Sequence, residues 1–192
     1  MEKKYHKIIL ITAPSGSGKT SIVKYLMKEF PQLAFSVSAT TRPARDNEKD
    51  GVDYYFISEE AFKEKIHEKE FLEWEMVYEG KYYGTLKSEM ERIWALDRVP
   101  VLDIDVQGAI HVQQQYPVNT MSIFIQAPST EELRKRLQRR GSENEETLTA
   151  RINKSAYEMT FKNYFENVIV NNDFNVACRD TAKIVAAFLS RD

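Results

Sequence analysis

Near its beginning, the chain places a run of small residues between an apolar segment and an amphipathic one, and few folds use that order. Residues 7–12 (KIILIT) are apolar and rich in β-branched side chains, which is typical of a buried strand. From Lys19 onward, apolar residues recur at helical spacing, and Phe30-Pro31 predicts the end of the helix. A strand, a small-residue loop and a helix in succession predict the first unit of an α/β fold.

The intervening residues 13–20 (APSGSGKT) match the phosphate-loop pattern G-x-x-x-x-G-K-[ST] except at the first position, where Ala13 replaces glycine. Small residues let backbone N–H groups surround phosphate oxygens, which larger side chains would obstruct. We expect Lys19 to contact the β- and γ-phosphates of a nucleotide and the Thr20 hydroxyl to ligate Mg²⁺, although the loop alone does not separate NTPases, motors, GTPases and small-molecule kinases. A chance turn is the alternative, but the position between a strand and a helix favours the phosphate loop. The predicted nucleotide-binding residues here are Ala13, Pro14, Ser15, Gly16, Ser17, Gly18, Lys19, Thr20 and Ser21.

Further apolar runs predict the rest of a central parallel sheet flanked by helices. Residues 99–104 and 122–125 are each followed by a helical stretch, and residues 168–170 form another short apolar run. Asp103 and Asp105 lie at the end of the run that begins at residue 99, and residues two apart in a strand share a face. Asp103 is the predicted carboxylate for Mg²⁺, directly or through water; a merely solvated pair is the alternative.

Composition and charge exclude several classes of protein. The 192 residues suit one compact domain, and 42% hydrophobic with 29% charged residues excludes a disordered or low-complexity chain. Lys plus Arg total 27 against 29 Asp plus Glu, so the near-neutral charge predicts no nucleic-acid partner. Residues 1–7 are too polar for a signal peptide and the apolar run 8–11 is too short to span a bilayer, so we expect a cytoplasmic protein without a membrane partner.

Two stretches of different composition interrupt the α/β pattern. Residues 35–83 combine polar turns with aromatic pairs and predict an inserted, mixed subdomain. Residues 129–151 are rich in arginine, and capping-box spacing at Ser129 and at Ser142 predicts two helices that are separated at Gly141. A flap that carries arginines would neutralise charge and exclude water during phosphoryl transfer.

Taken in order, the segments FSVSATTRPAR, GVDYYF, FLEWEMVYEGKYYGT and LDIDVQG resemble guanylate kinases, which transfer the γ-phosphate of ATP to GMP. The resemblance covers nearly the whole chain, up to about Asp173. It implies an α/β P-loop kinase in which a parallel core carries an inserted GMP-binding subdomain and a helical lid. The implied boundaries are 1–34, 96–128 and 153–192 for the core, about 35–95 for the subdomain and about 129–152 for the lid. The implied substrates are ATP with Mg²⁺ and GMP (or dGMP), as in purine nucleotide metabolism; whether the protein is a monomer or a homodimer stays open.

The inserted stretch contains side chains that suit a nucleotide acceptor. Arg42 and Arg45 offer forked donors for a monophosphate, and Tyr54 and Tyr83 add phenolic donors without charge. Glu73 can accept two hydrogen bonds from the N1–H and N2–H₂ edge of guanine, a pair that adenine lacks. An exposed charge is the alternative for Glu73 when it is considered alone. The resemblance adds Ser38, Thr85 and Asp105 as further contacts to the base, and we interpret Tyr55 and Phe56 as core residues of the subdomain.

The arginine-rich stretch is expected to act on the donor side. The resemblance implies that Arg140 and Arg151 contact the migrating phosphoryl group and that Arg134 packs near adenine. We interpret Arg136 and Arg139 as solvated, which is the usual state of such side chains. By the same resemblance, Asn171 and Asn172 belong to the loop on the adenine side. The predicted catalytic residues are Lys19, Arg45, Arg140 and Arg151.

Two other functions use a similar sequence. Guanylate-kinase-like domains also serve as protein-binding modules without activity, and a related kinase could use another phosphorylated acceptor. Lys19, Thr20 and the two lid arginines favour an active enzyme over a module. Glu73 and Ser38 favour guanine over another acceptor.

Overall fold

A computed structural model describes residues 6–138 and 145–191 of the chain. Within these ranges the chain forms nine strands and seven α-helices. The strands are β1 (Ile8–Thr12), β2 (Leu33–Phe35), β3 (Ala39–Thr40), β4 (Tyr55–Phe56), β5 (Phe71–Tyr78), β6 (Lys81–Leu86), β7 (Val99–Asp103), β8 (Thr120–Gln126) and β9 (Asn167–Val170). The helices are α1 (Lys19–Glu29), α2 (Glu59–His67), α3 (Lys87–Ala95), α4 (Val106–Gln115), α5 (Thr130–Gln138), α6 (Glu145–Met159) and α7 (Phe174–Leu189).

The first sheet is parallel throughout, with strand order β2-β7-β1-β8-β9. Central β1 aligns Ile9 with Val101 of β7 and Ile8 with Thr120 of β8. The four apolar runs that the sequence analysis interpreted as strands all lie in this sheet, so the predicted parallel α/β core is confirmed. The edge strand β2 contains only three residues, which is too short for a periodic signal.

Helices cover both faces of the first sheet, because successive side chains of a strand point to opposite faces. Ile9 and Ile11 pack in a cluster that includes residues of α1 and α7, while Ile8 and Leu10 pack in a second cluster with residues of α3 and α4. Cys178 of α7 is buried in the first cluster as a small apolar residue. Both clusters contain side chains that are fully buried, as close packing of a parallel sheet requires.

The second sheet is mixed and has the strand order β4-β3-β6-β5. β3 and β4 run parallel, whereas β6 is antiparallel to both β3 and β5. Helix α2 covers one face, where the rings of Phe62 and Phe71 stack with their centroids 4.3 Å apart. These strands lie within residues 39–86, so the mixed sheet forms where the sequence predicts a mixed subdomain, although β6 continues three residues beyond the inserted stretch 35–83.

The arginine-rich stretch contributes α5 and α6. Ser129 caps α5, since its Oγ accepts a hydrogen bond from the backbone N–H of Glu132 at 3.1 Å, as the sequence predicts. The predicted break at Gly141 and the cap at Ser142 lie outside the described residues. Among the helices of the described ranges, none has both the length and the apolar surface that a membrane span requires.

Candidate active site

The loop between β1 and α1 has the backbone geometry that its glycines predict. Gly16 and Gly18 adopt φ values of +87° and +92°, a region that other residues rarely occupy. The backbone N–H of Ser17 donates to the carbonyl oxygen of Pro14 at 3.1 Å and closes the turn. Ala13, which replaces the first glycine of the pattern, is buried in the core cluster beneath the loop. The loop therefore presents its backbone at the amino end of α1, where anions are favoured.

Asn171 holds this loop from the other end of the chain. Its Nδ2 donates to the carbonyl oxygen of Ser17 at 2.8 Å, and the residue is buried. The backbone carbonyl oxygen of Asn171 accepts a hydrogen bond from Nη2 of Arg136 at 3.0 Å. Nε of Arg136 in turn donates to the Glu132 carboxylate at 2.9 Å. The prediction that Arg136 is merely solvated is therefore wrong, because the side chain reaches back over α5 to a buried backbone carbonyl. Arg139 lies outside the described residues.

Lys19 lies between the loop and the carboxyl end of β7. Its Nζ is 2.5 Å from Oδ1 of Asp103 and donates to the carbonyl oxygen of Ile104 at 3.1 Å. Burial lowers the pKa of Lys19, but the Asp103 carboxylate outweighs that effect and holds the pKa above its usual 10.5. The ammonium is thus charged and is held against the carboxyl end of β7.

Asp105 differs from its predicted position in one respect. β7 ends at Asp103, so the argument that the two carboxylates share a strand face does not apply. Asp105 is instead the N-cap of α4, and its Oδ1 accepts from the backbone N–H of Gly108 at 2.8 Å. Both carboxylates still line the same cavity, because the strand end and the helix start adjoin.

Two cavities lie between the sheets and around the loop. The first, of ≈ 320 Å³, lies between the carboxyl ends of the parallel strands and the second sheet, and the other, of ≈ 340 Å³, follows the glycine loop to α6. Lys19, Thr20, Tyr54, Val77 and Asp105 line both. The residues that line only the first include Ser38, Glu73, Tyr83 and Asp103, and those that line only the second include Arg151, Lys154 and Glu158.

Glu73 is the most perturbed acid of the first cavity. It is 6% exposed, and neither its Oε1 nor the Oγ1 of Thr85, which is opposite on β6, has a hydrogen-bond partner among the described residues. Burial raises the pKa of Glu73 to about 7, since the nearby Thr85 compensates only in part and Asp105 adds negative charge. A buried oxygen without a partner next to a cavity is a group that a ligand can satisfy.

Arg42 lies just after β3 and is held there by three groups. Its Nη1 and Nη2 form a fork with the Glu48 carboxylate at 2.6 and 2.7 Å, and its Nε donates to the Tyr83 hydroxyl at 3.2 Å. The guanidinium also lies over the Tyr54 ring, 4.9 Å from the centroid. The hydrogen bonds from Arg42 lower the pKa of Glu48 to about 2 and raise the pKa of Arg42. Glu48 also accepts from the backbone N–H of Arg45 at 2.9 Å.

Oxygen donors suitable for Mg²⁺ are present near Lys19. Mg²⁺ in phosphate sites takes one or two protein oxygens and completes its shell with phosphate and water. Thr20 in the first turn of α1 and Asp103 both line the first cavity, so the donor set has the right chemistry. In the described ranges no three His, Cys, Asp or Glu side chains form a metal-holding group.

Comparison with known proteins identifies the family. The model of the family described as "Guanylate kinase" matches residues 5–188. Guanylate kinases of Bacteroides thetaiotaomicron and Porphyromonas gingivalis are 45% and 41% identical to the chain over 186 residues. The alignments cover 97% and 96% of this chain and 91% and 99% of those relatives.

The chain belongs to the guanylate kinase family.

A solved structure agrees with this assignment. The crystal structure of guanylate kinase from Anaplasma phagocytophilum superimposes with a TM-score of 0.78 at 30% identity, covering 96% of this chain and 87% of that one. The family resemblance inferred from the sequence motifs is therefore confirmed, as is the α/β P-loop kinase fold.

Several residues that the guanylate kinase motifs predict do not line either cavity. Arg45 is exposed to solvent. Arg42 does not line the first cavity itself, but it contacts Tyr54 and Tyr83, which do. Thr85 is buried behind Glu73 and is absent from the cavity wall. Others lie farther away or beyond what the structure describes. Arg134 and Asn172 are exposed, Ser21 is exposed on α1, and Arg140 lies outside the described residues.

Other residues of this guanylate kinase fold line the cavities but are missing from the predicted set. Glu75 shares the face of Glu73 on β5 and lines the first cavity, and the spacing of two residues in a strand is a signal that could have indicated it. Glu158 is 8% exposed beside the glycine loop, and burial raises its pKa. No sequence pattern distinguishes Glu158 from the other acids of α6.

Proposed function

We propose that this chain catalyses the reversible transfer of the γ-phosphoryl group from ATP to GMP, forming ADP and GDP. The observation that carries the proposal is the pair of cavities that meet at Lys19, one along the glycine loop and one ending at the buried acid Glu73. A phosphotransferase needs two nucleotide sites with their phosphates adjacent, because catalysis consists mainly of positioning and charge stabilisation. Membership of the guanylate kinase family supports the same reaction.

The first cavity is proposed to hold GMP. Glu73 would accept hydrogen bonds from the N1–H and N2–H₂ groups of guanine, satisfying an oxygen that has no partner in the described residues. Ser38, Thr85 and Asp105 are the other proposed base contacts. Arg42, Arg45, Tyr54 and Tyr83 would bind the 5′-phosphate, because forked guanidinium donors match phosphate oxygens. The stretch from about 35 to 95 is thus the proposed GMP-binding subdomain.

The second cavity is proposed to hold the ATP phosphates. Backbone N–H groups of residues 13–20 would surround the β- and γ-phosphates, and the charged Lys19 would follow the γ-phosphoryl group as it moves. Thr20 and Asp103 would hold Mg²⁺, which supplies charge neutralisation on the phosphates when bound. Asp103 pairs with Lys19 in this structure, so nucleotide binding would redirect the ammonium toward phosphate.

The acceptor needs no strong general base, because the phosphate of GMP is already an anionic nucleophile. The remaining requirement is positive charge around the migrating group and exclusion of water. Arg151 lines the loop cavity and is proposed for that role together with Arg140. Residues from about 129 to 152 are the proposed lid, with Arg134, Asn171 and Asn172 on its adenine side.

One assay tests the proposal and its specificity. Release of ADP from ATP is followed with GMP, AMP, UMP or dTMP as the acceptor, in Mg²⁺ buffer. Turnover with GMP at least 100-fold above the other acceptors is expected, since only guanine offers two donors to one carboxylate. Glu73→Gln should raise the KM for GMP, while Glu91→Gln on the exposed face of α3 serves as the matched control. Turnover confined to AMP, or an unchanged KM in Glu73→Gln, contradicts the assignment.

A further inference from the structure

Glu89 is a buried carboxylate that the proposed chemistry does not use. It lies in the first turn of α3, is 2% exposed and is not among the residues that line either cavity. Its Oε1 accepts from the backbone N–H of Val37 at 3.0 Å, and its Oε2 accepts from the hydroxyl of Tyr55 at 3.0 Å. Arg92, one turn further along the helix, donates to both oxygens at 2.8 Å. A fully bonded buried carboxylate of this kind fixes the segments that bond to it.

The segments that Glu89 joins are where the chain crosses between the two sheets. Val37 lies between β2 of the parallel sheet and β3 of the mixed sheet. One residue earlier, the N–H of Ser36 donates to the carbonyl oxygen of Val101 in β7 at 3.0 Å. The crossing is thus attached to the core sheet at residue 36 and to α3 at residue 37.

The same contacts determine the position of two residues of the first cavity. Ser38 follows Val37 directly, and its carbonyl oxygen accepts from the backbone N–H of Tyr55 at 2.9 Å. Tyr54 precedes Tyr55, and both Ser38 and Tyr54 line the first cavity. Each cavity residue is therefore one peptide unit away from a group that is bonded to Glu89.

Glu89 remains charged in this position. Burial raises the pKa of its carboxyl, but the hydrogen bonds from Arg92, Val37 and Tyr55 outweigh burial and leave the pKa below its usual 4.5. An alanine at this position would leave the buried Val37 N–H without its acceptor and would remove the acceptor of the half-buried Tyr55 hydroxyl, and both segments could then shift.

We propose that Glu89 is a positioning residue of the acceptor site, which fixes Ser38 and Tyr54 at the crossing between the two sheets so that the first cavity is preformed for a nucleoside monophosphate. The inference rests on the proposed function for the identity of the acceptor. On this proposal, the affinity for the acceptor depends on the Glu89 carboxylate itself and not on its ion pair with Arg92.

Four variants separate this role from a purely structural one: Glu89→Ala, Glu89→Gln, Tyr55→Phe and Arg92→Ala. Glu89→Ala should raise the KM and the dissociation constant for GMP about tenfold, the effect of about one buried hydrogen bond, with the KM for ATP within about twofold of wild type. Glu89→Gln retains an acceptor for Val37 and should recover part of the loss. Tyr55→Phe removes one contact and should give a smaller increase, while Arg92→Ala should leave the KM for GMP within about twofold.

A readout independent of turnover is the hydrogen exchange of the Val37 amide. Exchange should accelerate in Glu89→Ala and stay slow in Arg92→Ala. If Glu89→Ala is too unstable to study, Tyr55→Phe and Glu89→Gln provide the same comparison between the KM for GMP and the KM for ATP.

Equal increases in both KM values, a change in kcat alone, or an Arg92→Ala variant as impaired as Glu89→Ala would overturn the proposal. The proposed function is tested by the wild-type protein alone: it is contradicted if that protein does not bind and phosphorylate GMP. A wild-type protein that phosphorylates GMP, with variants that keep the wild-type KM for GMP, refutes only the role of Glu89.

Discussion

Replacing Glu73 with glutamine is expected to stabilise the folded protein above neutral pH while weakening the binding of GMP. The carboxylate at the end of the first cavity is 6% exposed, and one of its oxygens lacks a partner among the described residues. A charged group in such a position opposes folding unless a ligand pairs with it. Glutamine has a similar shape without the charge, so the substitution isolates the electrostatic contribution.

The magnitude follows from the pKa of Glu73, which is raised from 4.5 to about 7. Between these values the folded state holds a proton that the unfolded chain has lost, so the free energy of unfolding decreases as the pH rises through this window. A difference of this size corresponds to about 3 kcal/mol, fully expressed above pH 7 and absent below pH 4.5, where both states are protonated. Glutamine does not titrate, so the variant lacks this dependence.

Urea unfolding of wild type and Glu73→Gln, at about pH 5 and about pH 8, measures the effect, with Glu91→Gln as the control on the exposed face of α3. The stability advantage of Glu73→Gln should increase by about 2 kcal/mol between the two pH values. Contributions of groups distant from Glu73 are the same in both proteins and cancel in the difference. A stability difference that is independent of pH, or that decreases toward pH 8, would refute the reasoning.

Three further predictions concern binding and turnover. In wild type, the KM for GMP should rise about tenfold from pH 8 to pH 6, because Glu73 gains a proton near pH 7 and the protonated oxygen no longer accepts a hydrogen bond from guanine. Initial rates at saturating ATP measure this KM, and a KM that does not change with pH would contradict the prediction. Lys19→Met removes the positive charge at a residue that lines both cavities. Steady-state kinetics should show a kcat lower by a factor of about 10²–10³ with little change in the KM for GMP. Gly18→Ala should raise the dissociation constant for ATP, measured by calorimetry, at least tenfold, because an added Cβ at φ +92° would overlap the Asn171 amide. The matched control is Gly51→Ala, where φ is +72° but the nearest neighbour of an added Cβ is 3.9 Å away. Equal losses of ATP affinity in both variants would show that backbone strain alone is responsible.

Local patterns predicted the parts of the fold that are buried and regular. Strands β1, β7, β8 and β9 are apolar runs, and such runs indicate a parallel sheet without knowledge of the partners. Strands β5 and β6 of the second sheet carry charged and aromatic side chains, so pairing and not composition defines them. The glycine loop is local in sequence, so its conformation follows from residues 13–20 alone.

The less predictable parts of the site depend on contacts between distant residues. Arg136 pairs with Glu132 at a helical spacing that a sequence can indicate, but its bond to the Asn171 carbonyl cannot be inferred from spacing. Glu89 has the sequence environment of an ordinary surface acid of a helix, and its contacts with Val37, between β2 and β3, and with Tyr55 of β4 join residues 34 or more positions apart. Asp105 is intermediate, because an aspartate before a helix favours an N-cap.

The bond between Asn171 and Ser17 joins residues 154 positions apart, and this separation has a consequence during synthesis. The ribosome makes the glycine loop among the first residues, yet the amide that holds it is added after β8, α5 and α6. A nascent chain that ends before residue 171 carries the complete phosphate-loop sequence without its anchor. The phosphate loop of this protein therefore gains this anchor only after residue 171 has been added, although its own sequence is complete at residue 20.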